Sequence, residues 1–451
     1  MRKSLWLAAA GIVLFISTIF VGAKLVDANP TDTRGKLTFG HDFIGFHTAG
    51  RAIYEGRWQD VYRPDIELAN GRATLRANAV DFTMPYSGWL YPPFVAPFYA
   101  PFAAFEYRTS VWMWTAFSVA CAGVASLLLI RLTNLAGGWK SWALVPVALS
   151  ISMPFILTVG HAQNACLSLL ILTAAVTLWR ADRLILAGFV ASLLAYKPQL
   201  GAMVAVAMVL ISGARPLVGL LIGGTMLAGA SELTMPGSIG TFLLRLPENV
   251  EAMRTSGLFP WHRHATPSAF FHRLLDGAPL AAWLTRGIAC VFAFALILAL
   301  LRFRGVDLPR IWRSPARRRH SDVLENISTS PGECHLATRA RLDRIIAAGI
   351  ASIPMLMPYY VDYDLILLAV PLALYAGDAR DRFISTAWCI WFGGLYVGTG
   401  LAGATSFNLN VLTTGLIASM LLARALRDGA IATPEVAEPR DELLHTARRA
   451  A

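Results

Sequence analysis

The sequence predicts an all-α, polytopic integral membrane protein, a bundle of about 12 transmembrane helices with short juxtamembrane helices in its first outer loop. Composition, the length of the apolar runs and the placement of charge predict it together. Of the 451 residues 56% are apolar and only 15% charged, and mean hydropathy is +0.53, whereas soluble chains carry about a quarter charged residues. Long apolar runs recur along the whole length. The net charge of +11 comes from Arg and Lys in short segments between alternate runs, which is the positive-inside bias of a membrane protein. That distribution makes no nucleic-acid surface, so no nucleic-acid partner is expected.

The first run, 5–26, follows Met1-Arg2-Lys3 and competes with a cleaved signal peptide. No small-x-small cleavage site follows it, and the later segments read best with it retained. The further crossings fall at 110–131, 142–159, 164–179, 184–196, 199–213, 216–234, 280–301, 345–358, 362–377, 383–402 and 408–425. The segments 184–196 and 199–213 are short enough to be tilted or partly re-entrant. With the N-terminus cytoplasmic, the inner loops are 132–141, 180–183, 214–215, 302–344, 378–382 and the C-terminal tail, and each holds Lys or Arg. The basic segment 302–344 reads as a polar cytoplasmic linker. The chain is therefore one transmembrane domain, 1–426, with a cytoplasmic tail, 427–451. Of the cysteines, Cys121, Cys166, Cys290 and Cys389 lie in apolar segments and Cys334 in the basic loop; no disulfide or metal spacing links them.

The outer loops differ in kind from the inner ones. The first, 27–109, carries helix-like pieces near 43–56 and 64–77; Pro64 with Asp65 and Glu67 has the pattern of a helix start. The apolar run 94–105 is too broken by proline to span, and with the Tyr and Trp of 85–93 it suits an interfacial element. A second long outer loop, 235–279, contains Trp261-His262-Arg263-His264. Between the other crossings lie the turns Gly160-His161-Ala162-Gln163-Asn164, Tyr196-Lys197-Pro198-Gln199 and Pro358-Tyr359-Tyr360-Val361-Asp362-Tyr363-Asp364. Ionisable groups at membrane depth are costly without partners or a cavity. All these segments fall on one side of the membrane.

The polar centre of the first outer loop is Gly40-His41-Asp42-Phe43, with His47 and Arg51 beyond it. Directly before an amphipathic stretch, Asp42 is equally an N-cap and a catalytic carboxylate. Lys197 is either a lysine snorkelling to the headgroups or part of a polar cavity shared with His161, Asn164 and Gln199. His262, Arg263 and His264 form either a solvated loop or an anion site. Asp362-x-Asp364 resembles a metal motif, but two carboxylates near a helix start are as often caps, and no metal or other cofactor is expected. Tyr91, Trp89 and Trp261 suit an aromatic belt or a sugar platform. Walker, dinucleotide-binding, HExxH and nucleophile-elbow motifs do not occur in a usable context.

Asp42-Phe43 leading into Ala49-Gly50-Arg51-Ala52 and Gly56, then Tyr91-Pro92-Pro93, Gly160 with Gln163-Asn164, and Lys197-Pro198-Gln199, resemble in order and placement glycosyltransferase family 87. These are membrane enzymes of the GT-C class related to polyprenol-phosphate-mannose-dependent mannosyltransferases. The resemblance implies a multi-helix membrane fold, a polyprenyl-phosphate sugar donor, a glycolipid or glycan acceptor, and an acid in the first outer loop as catalyst, which Asp42 matches. It makes the expected activity transfer of a hexose, mannose first among them, at the outer face of a bacterial-type inner membrane.

On that reading Asp42 is the general base of an inverting displacement. Lys197, His264, Arg263 and Arg51 are expected to hold the donor phosphate. His41, Tyr91, His161, Gln163, Asn164, Gln199, Tyr360 and Asp362 are expected to line the substrate site, and the run 94–105 a groove for the prenyl chain. The competing reading is a transporter or flippase of lipid-linked sugars. Transporters gather polar groups at the midplane, and here they crowd one face.

Overall fold

The computed structural model describes residues 39–40, 42–77, 89–133, 139–255, 259–304, 331–376, 386–387, 389–405 and 407–428. The predicted first crossing, His41, the segment 85–88, the middle of the basic linker and most of the C-terminal tail lie outside them. Among the described residues the protein is helical throughout, and its β content is an isolated bridge between His264 and Val361.

The first outer loop folds as anticipated into two short helices, α1 (Phe43–Tyr54) and α2 (Pro64–Ala77). The proline-broken run forms α3 (Val95–Ala103), which packs against α1. Gly50 permits that approach, since a Cβ there would stand 2.8 Å from the Tyr99 backbone carbonyl. Phe46 stacks on Tyr99 at 4.5 Å, and Tyr99 meets Trp114 of α4 (Tyr107–Leu132) at 4.8 Å. The expected prenyl groove is thus half built into the core, with Phe98 remaining exposed.

Beyond α4 come α5 (Trp139–Ser150) and α6 (Met153–Gly160), then α7 (Ala165–Arg180), α8 (Leu184–Ser192), α9 (Pro198–Ser212), α10 (Arg215–Thr234) and α11 (Ser238–Thr255). After them lie α12 (Pro267–Leu274), α13 (Pro279–Phe303), α14 (Pro331–Leu356), α15 (Ala369–Leu374), α16 (Leu395–Ala404) and α17 (Leu409–Asp428). Four of these, Tyr107–Leu132, Arg215–Thr234, Pro279–Phe303 and Leu409–Arg427, are long and apolar enough to cross a membrane. A fifth crossing results if Ala143–Ser150 and Met153–Gly160, bent by 57° where Pro154 opens the second helix, count as one span. The segments 184–196 and 199–213, expected to be short, are short helices, the first ending in a 3₁₀ turn at Leu193–Tyr196. Residues 362–377, expected as a crossing, instead begin with the 3₁₀ segment Asp362–Leu368. The helix expected to start at 345 reaches back to Pro331, so part of the predicted linker is α14.

Arginines tie one set of helix ends together. Arg180 donates to Leu132 O at 2.9 Å and pairs with Asp343 at 2.8 Å, both side chains buried. Arg302 reaches Leu426 O, Arg304 reaches Leu210 O, and Arg341 reaches Arg302 O and Phe303 O. Each guanidinium satisfies carbonyls that the last helical turn leaves without intrahelical donors. The loops carrying Asp42, Gly160, Lys197, Arg263 and Asp362 meet at the other end.

Candidate active site

Two backbone features place Asp42. Gly40 has φ of +76° and donates to Gly160 O at 2.9 Å, while Tyr107 donates its hydroxyl to Gly40 O. A Cβ at Gly40 would lie 2.6 Å from Val111 Cγ1. Only glycine satisfies both the left-handed backbone and the close wall. Opposite, α6 ends through Ala162 at φ +50°, with Gln163 N closing onto Thr158 O, which turns the Gln163 side chain toward Asp42. Asp42 stands at the N-cap position of α1, but its side chain makes no capping hydrogen bond.

Its carboxylate is used elsewhere. Asp42 Oδ2 accepts from Gln163 Nε2 at 2.9 Å and Arg263 Nη1 at 3.1 Å, and His161 Nδ1 stands 3.9 Å away. Arg263 Nε is 3.6 Å from Asp362 Oδ1, and Asp362 also accepts from the Tyr363 N–H. Burial disfavours the Arg263 charge, but Asp42 and Asp362 more than offset it and hold the guanidinium firmly protonated. Lys197 Nζ lies 2.5 Å from Asp364 Oδ1. The Tyr363 ring lies between the two pairs, 5.3 Å from Lys197 Nζ and 5.3 Å from the Arg263 guanidinium. A 3₁₀ turn has about three residues, so positions i and i+2 diverge. That divergence sends Asp362 to one cation and Asp364 to the other.

The supports are equally specific. Tyr360 donates its hydroxyl to Asp364 O, and its carbonyl accepts from Ala265 N at 2.7 Å. Asn408 donates to His262 O and His264 O, pinning the arginine loop. Tyr196 donates to Asn164 O and shares a short hydrogen bond with Ser168. The Tyr91 hydroxyl faces Asn164, Asp364 and Asp42; burial, reinforced by the two carboxylates, holds it protonated.

Asp42, His161, Gln163, Asn164, Lys197, Arg263, Tyr360, Asp362 and Tyr91 are therefore brought together. Three expectations change. Arg51 is not at the cluster: it pairs with Glu55 at 2.6 Å and donates to Ala103 O, more than two helical turns along α1 from Asp42. His264 is adjacent but not cationic. Buried and stacked on Phe259 at 4.7 Å, it has its pKa lowered to about 3, by burial first and by Arg263 second. Gln199 is exposed on the first turn of α9. His41 lies outside the described residues.

The residues not anticipated are Asp364, weighed as a cap or a metal motif, Tyr363 and Asn408. The acidic doublet was visible in sequence; what sequence could not show was its 3₁₀ geometry and the cations facing it. Among the described residues no three His, Cys, Asp or Glu side chains are grouped closely enough to hold a metal ion.

The described residues thus make a helical protein with apolar, membrane-span-capable helices and with carboxylates, cations and amides gathered at one end of its bundle. The profile of glycosyltransferase family 87 matches residues 89–314, half of the chain, and the protein belongs to that family. It is accordingly a glycosyltransferase. The matched region holds Tyr91, His161, Gln163, Asn164, Lys197, Arg263 and His264, whereas Asp42 and the 362–364 segment lie outside it. Searches of curated proteins and of solved structures return no match.

Proposed function

We propose that the protein transfers a hexose, mannose first among the candidates, from a polyprenyl-phosphate sugar to a lipid or glycan acceptor at the outer face of the membrane. In this reading Asp42 is the general base. The observation that carries it is that the Asp42 carboxylate turns away from its own helix N-terminus and into the cluster, where Gln163 and Arg263 hold it. A cap needs neither partner.

The step is a single displacement. The acceptor hydroxyl gives its proton to Asp42 as its oxygen attacks the anomeric carbon. The bond from that carbon to the phosphate oxygen breaks, and the phosphate leaves with the electron pair. Polyprenyl phosphate is a stable anion, so the leaving group needs charge stabilisation rather than a proton. Arg263 and Lys197 supply it, in a buried setting where such contacts outweigh their value in water. Neutral His264 serves as packing against Phe259 and not as a third cation. Gln163 orients the base through Oδ2, and Tyr91, His161 and Asn164 offer hydrogen bonds to sugar hydroxyls.

Purified Asp42→Asn should lose transfer from radiolabelled polyprenyl phosphomannose by about 10²–10⁴-fold while keeping its thermal transition. Wild-type turnover in that variant would remove Asp42 from the chemistry. Movement of intact lipid-linked sugar across liposomes with no glycosidic product would support the flippase reading instead.

A further inference from the structure

Arg263 is claimed by two carboxylates and is also the best placed group for an incoming anion. Nη1 bonds Asp42 at 3.1 Å and Nε stands 3.6 Å from Asp362, while Nη2 is buried with no hydrogen-bond partner. Nη2 therefore has donor capacity to spare, and because a planar fork recognises phosphate best through two parallel donors, bidentate capture takes a second nitrogen from one of the two carboxylates. The neighbouring cations are committed or absent. Lys197 is taken by Asp364, Arg51 by Glu55, and the buried His264 is neutral. A phosphate entering the cluster has to compete with a carboxylate for whichever cation it recruits.

We propose that Arg263 gates the base: without donor it pairs with Asp42 and weakens it as a proton acceptor, and the donor phosphate draws the guanidinium away, so Asp42 becomes an effective base only once donor is seated. This rests on the reading of Asp42 and of a lipid-phosphate donor given above. A cation beside a carboxylate favours its charged form and so lowers its basicity. Sharing the cation with phosphate reverses that effect without moving Asp42 itself. The gate imposes an order, donor before acceptor.

Among the described residues the titratable groups facing Asp42 include Arg263, His161, Asp362, Tyr91, Tyr107 and Tyr363. Of these Arg263 holds its charge throughout the working pH range, whereas burial raises Asp362 to about 6, so Asp362 adds to the acid limb and the comparison with Arg263→Gln isolates the share set by the guanidinium. The donor phosphodiester is itself ionised well below that range and adds no titration of its own.

The test is a comparison of two pH profiles of the full-length enzyme in detergent with polyprenyl phosphomannose as donor, kcat/KM for donor taken with the glycolipid acceptor well below saturation and kcat with both substrates saturating. The acid limb of kcat/KM for donor reports the free enzyme, and that of kcat reports the loaded one. In the wild type the kcat limb should lie at higher pH, by roughly 1–3 units. In Arg263→Gln the two limbs should converge, the free-enzyme limb moving up, and KM for donor should rise. Arg263→Lys, which keeps the charge but not the fork, should retain part of the separation. Coincident limbs in the wild type, or an undiminished separation in Arg263→Gln, would overturn the gate. The wild-type comparison decides even if the variants are too unstable to assay. Absence of transfer from any polyprenyl-phosphate sugar at every pH would instead remove the underlying functional reading.

Discussion

Glu67 lies beneath the Trp89–Tyr91 segment, accepting from Trp89 N–H at 3.0 Å through one carboxyl oxygen while the other is buried without a partner. Asn249 of α11 donates to Trp89 O from the far side, so the loop that presents Tyr91 to the cluster is held at both backbone groups. Burial raises the Glu67 pKa to about 8, the Trp89 N–H offsetting only part of it. The folded state thus keeps the proton at neutral pH, whereas the unfolded chain releases it near the ordinary value for glutamate. Stability from this site is full below that ordinary value and falls as pH rises toward 8. Glu67→Gln retains an acceptor for Trp89 and removes the titration. Its melting temperature should exceed the wild type's by a few degrees at pH 7.5 and by much less at pH 5, read by differential scanning fluorimetry in detergent. A variant that melts lower at both pH values would mean that the carboxyl makes a contact the amide cannot. Sequence identified Glu67 only as an acid near a helix start, because burial by a loop distant in sequence leaves no local signature. The same limit applied to His264, whose expected charge disappears under Phe259. Asp42 was better served: two roles were legible, and the structure shows the carboxylate held by Gln163, a residue 121 positions away, and not capping its helix.

At the level of elements, α8 and α10 pack almost backbone to backbone. A Cβ on Gly219 would stand 1.8 Å from Ile185 O, and one on Gly188 would stand 2.0 Å from Pro216 O. Gly223, one turn beyond Gly219, meets the Ser192 side chain, whereas at Gly224 nothing lies within 4 Å. Close helix contact through small residues supplies the van der Waals packing that membrane helices use in place of a hydrophobic drive. Because α8 runs through the Leu193–Tyr196 turn straight to Lys197, a shift of α8 is transmitted to the cluster. Gly219→Ala should cost about 1–3 kcal/mol and reduce transfer. Gly223→Ala should cost less, since a side chain can move aside. Gly224→Ala should be neutral or slightly stabilising, as alanine is the better helix former by about 1 kcal/mol. Equal losses at Gly219 and Gly224, measured by thermal shift and radiolabel transfer, would contradict the packing. The apolar helices from 110 onward were legible because apolar run length marks them directly. What escaped was α11 and α12, which fold within the segment 235–279 read as an outer loop, and the character of three others: the bend before α6, the 3₁₀ opening at Asp362, and the extension of α14 back to Pro331. Each is fixed by partners distant in sequence or by proline geometry, which run length does not encode.

Over the whole molecule, polar groups divide between two ends that differ in chemistry. One end carries arginines answering helix carbonyls and the buried Arg180–Asp343 pair; the other carries carboxylates, amides and the two cations around Tyr363. The walls between them are apolar and open, as on α13, where Trp283, Val291, Phe294 and Ile297 are exposed. Lipid is the medium that such a surface suits. The proposed orientation, by charge bias, has the arginine end in the cytoplasm and Asp42 outside, the face on which the functional reading above has the sugar transferred. Two exposed positions test this orientation directly: Asp65 on α2 near the Asp42 end, and Arg183 between α7 and α8 at the arginine end. With the native Cys121, Cys166, Cys290, Cys334 and Cys389 replaced, Asp65→Cys should react with a membrane-impermeant maleimide on intact cells. Arg183→Cys should react only after permeabilisation. The reverse pattern would turn the molecule over and place sugar transfer in the cytoplasm. Reaction of both on intact cells would break the assignment of the two ends to opposite faces, because the pairs that join 132 with 180 and 343 leave no room for Arg183 to sit beside Asp42.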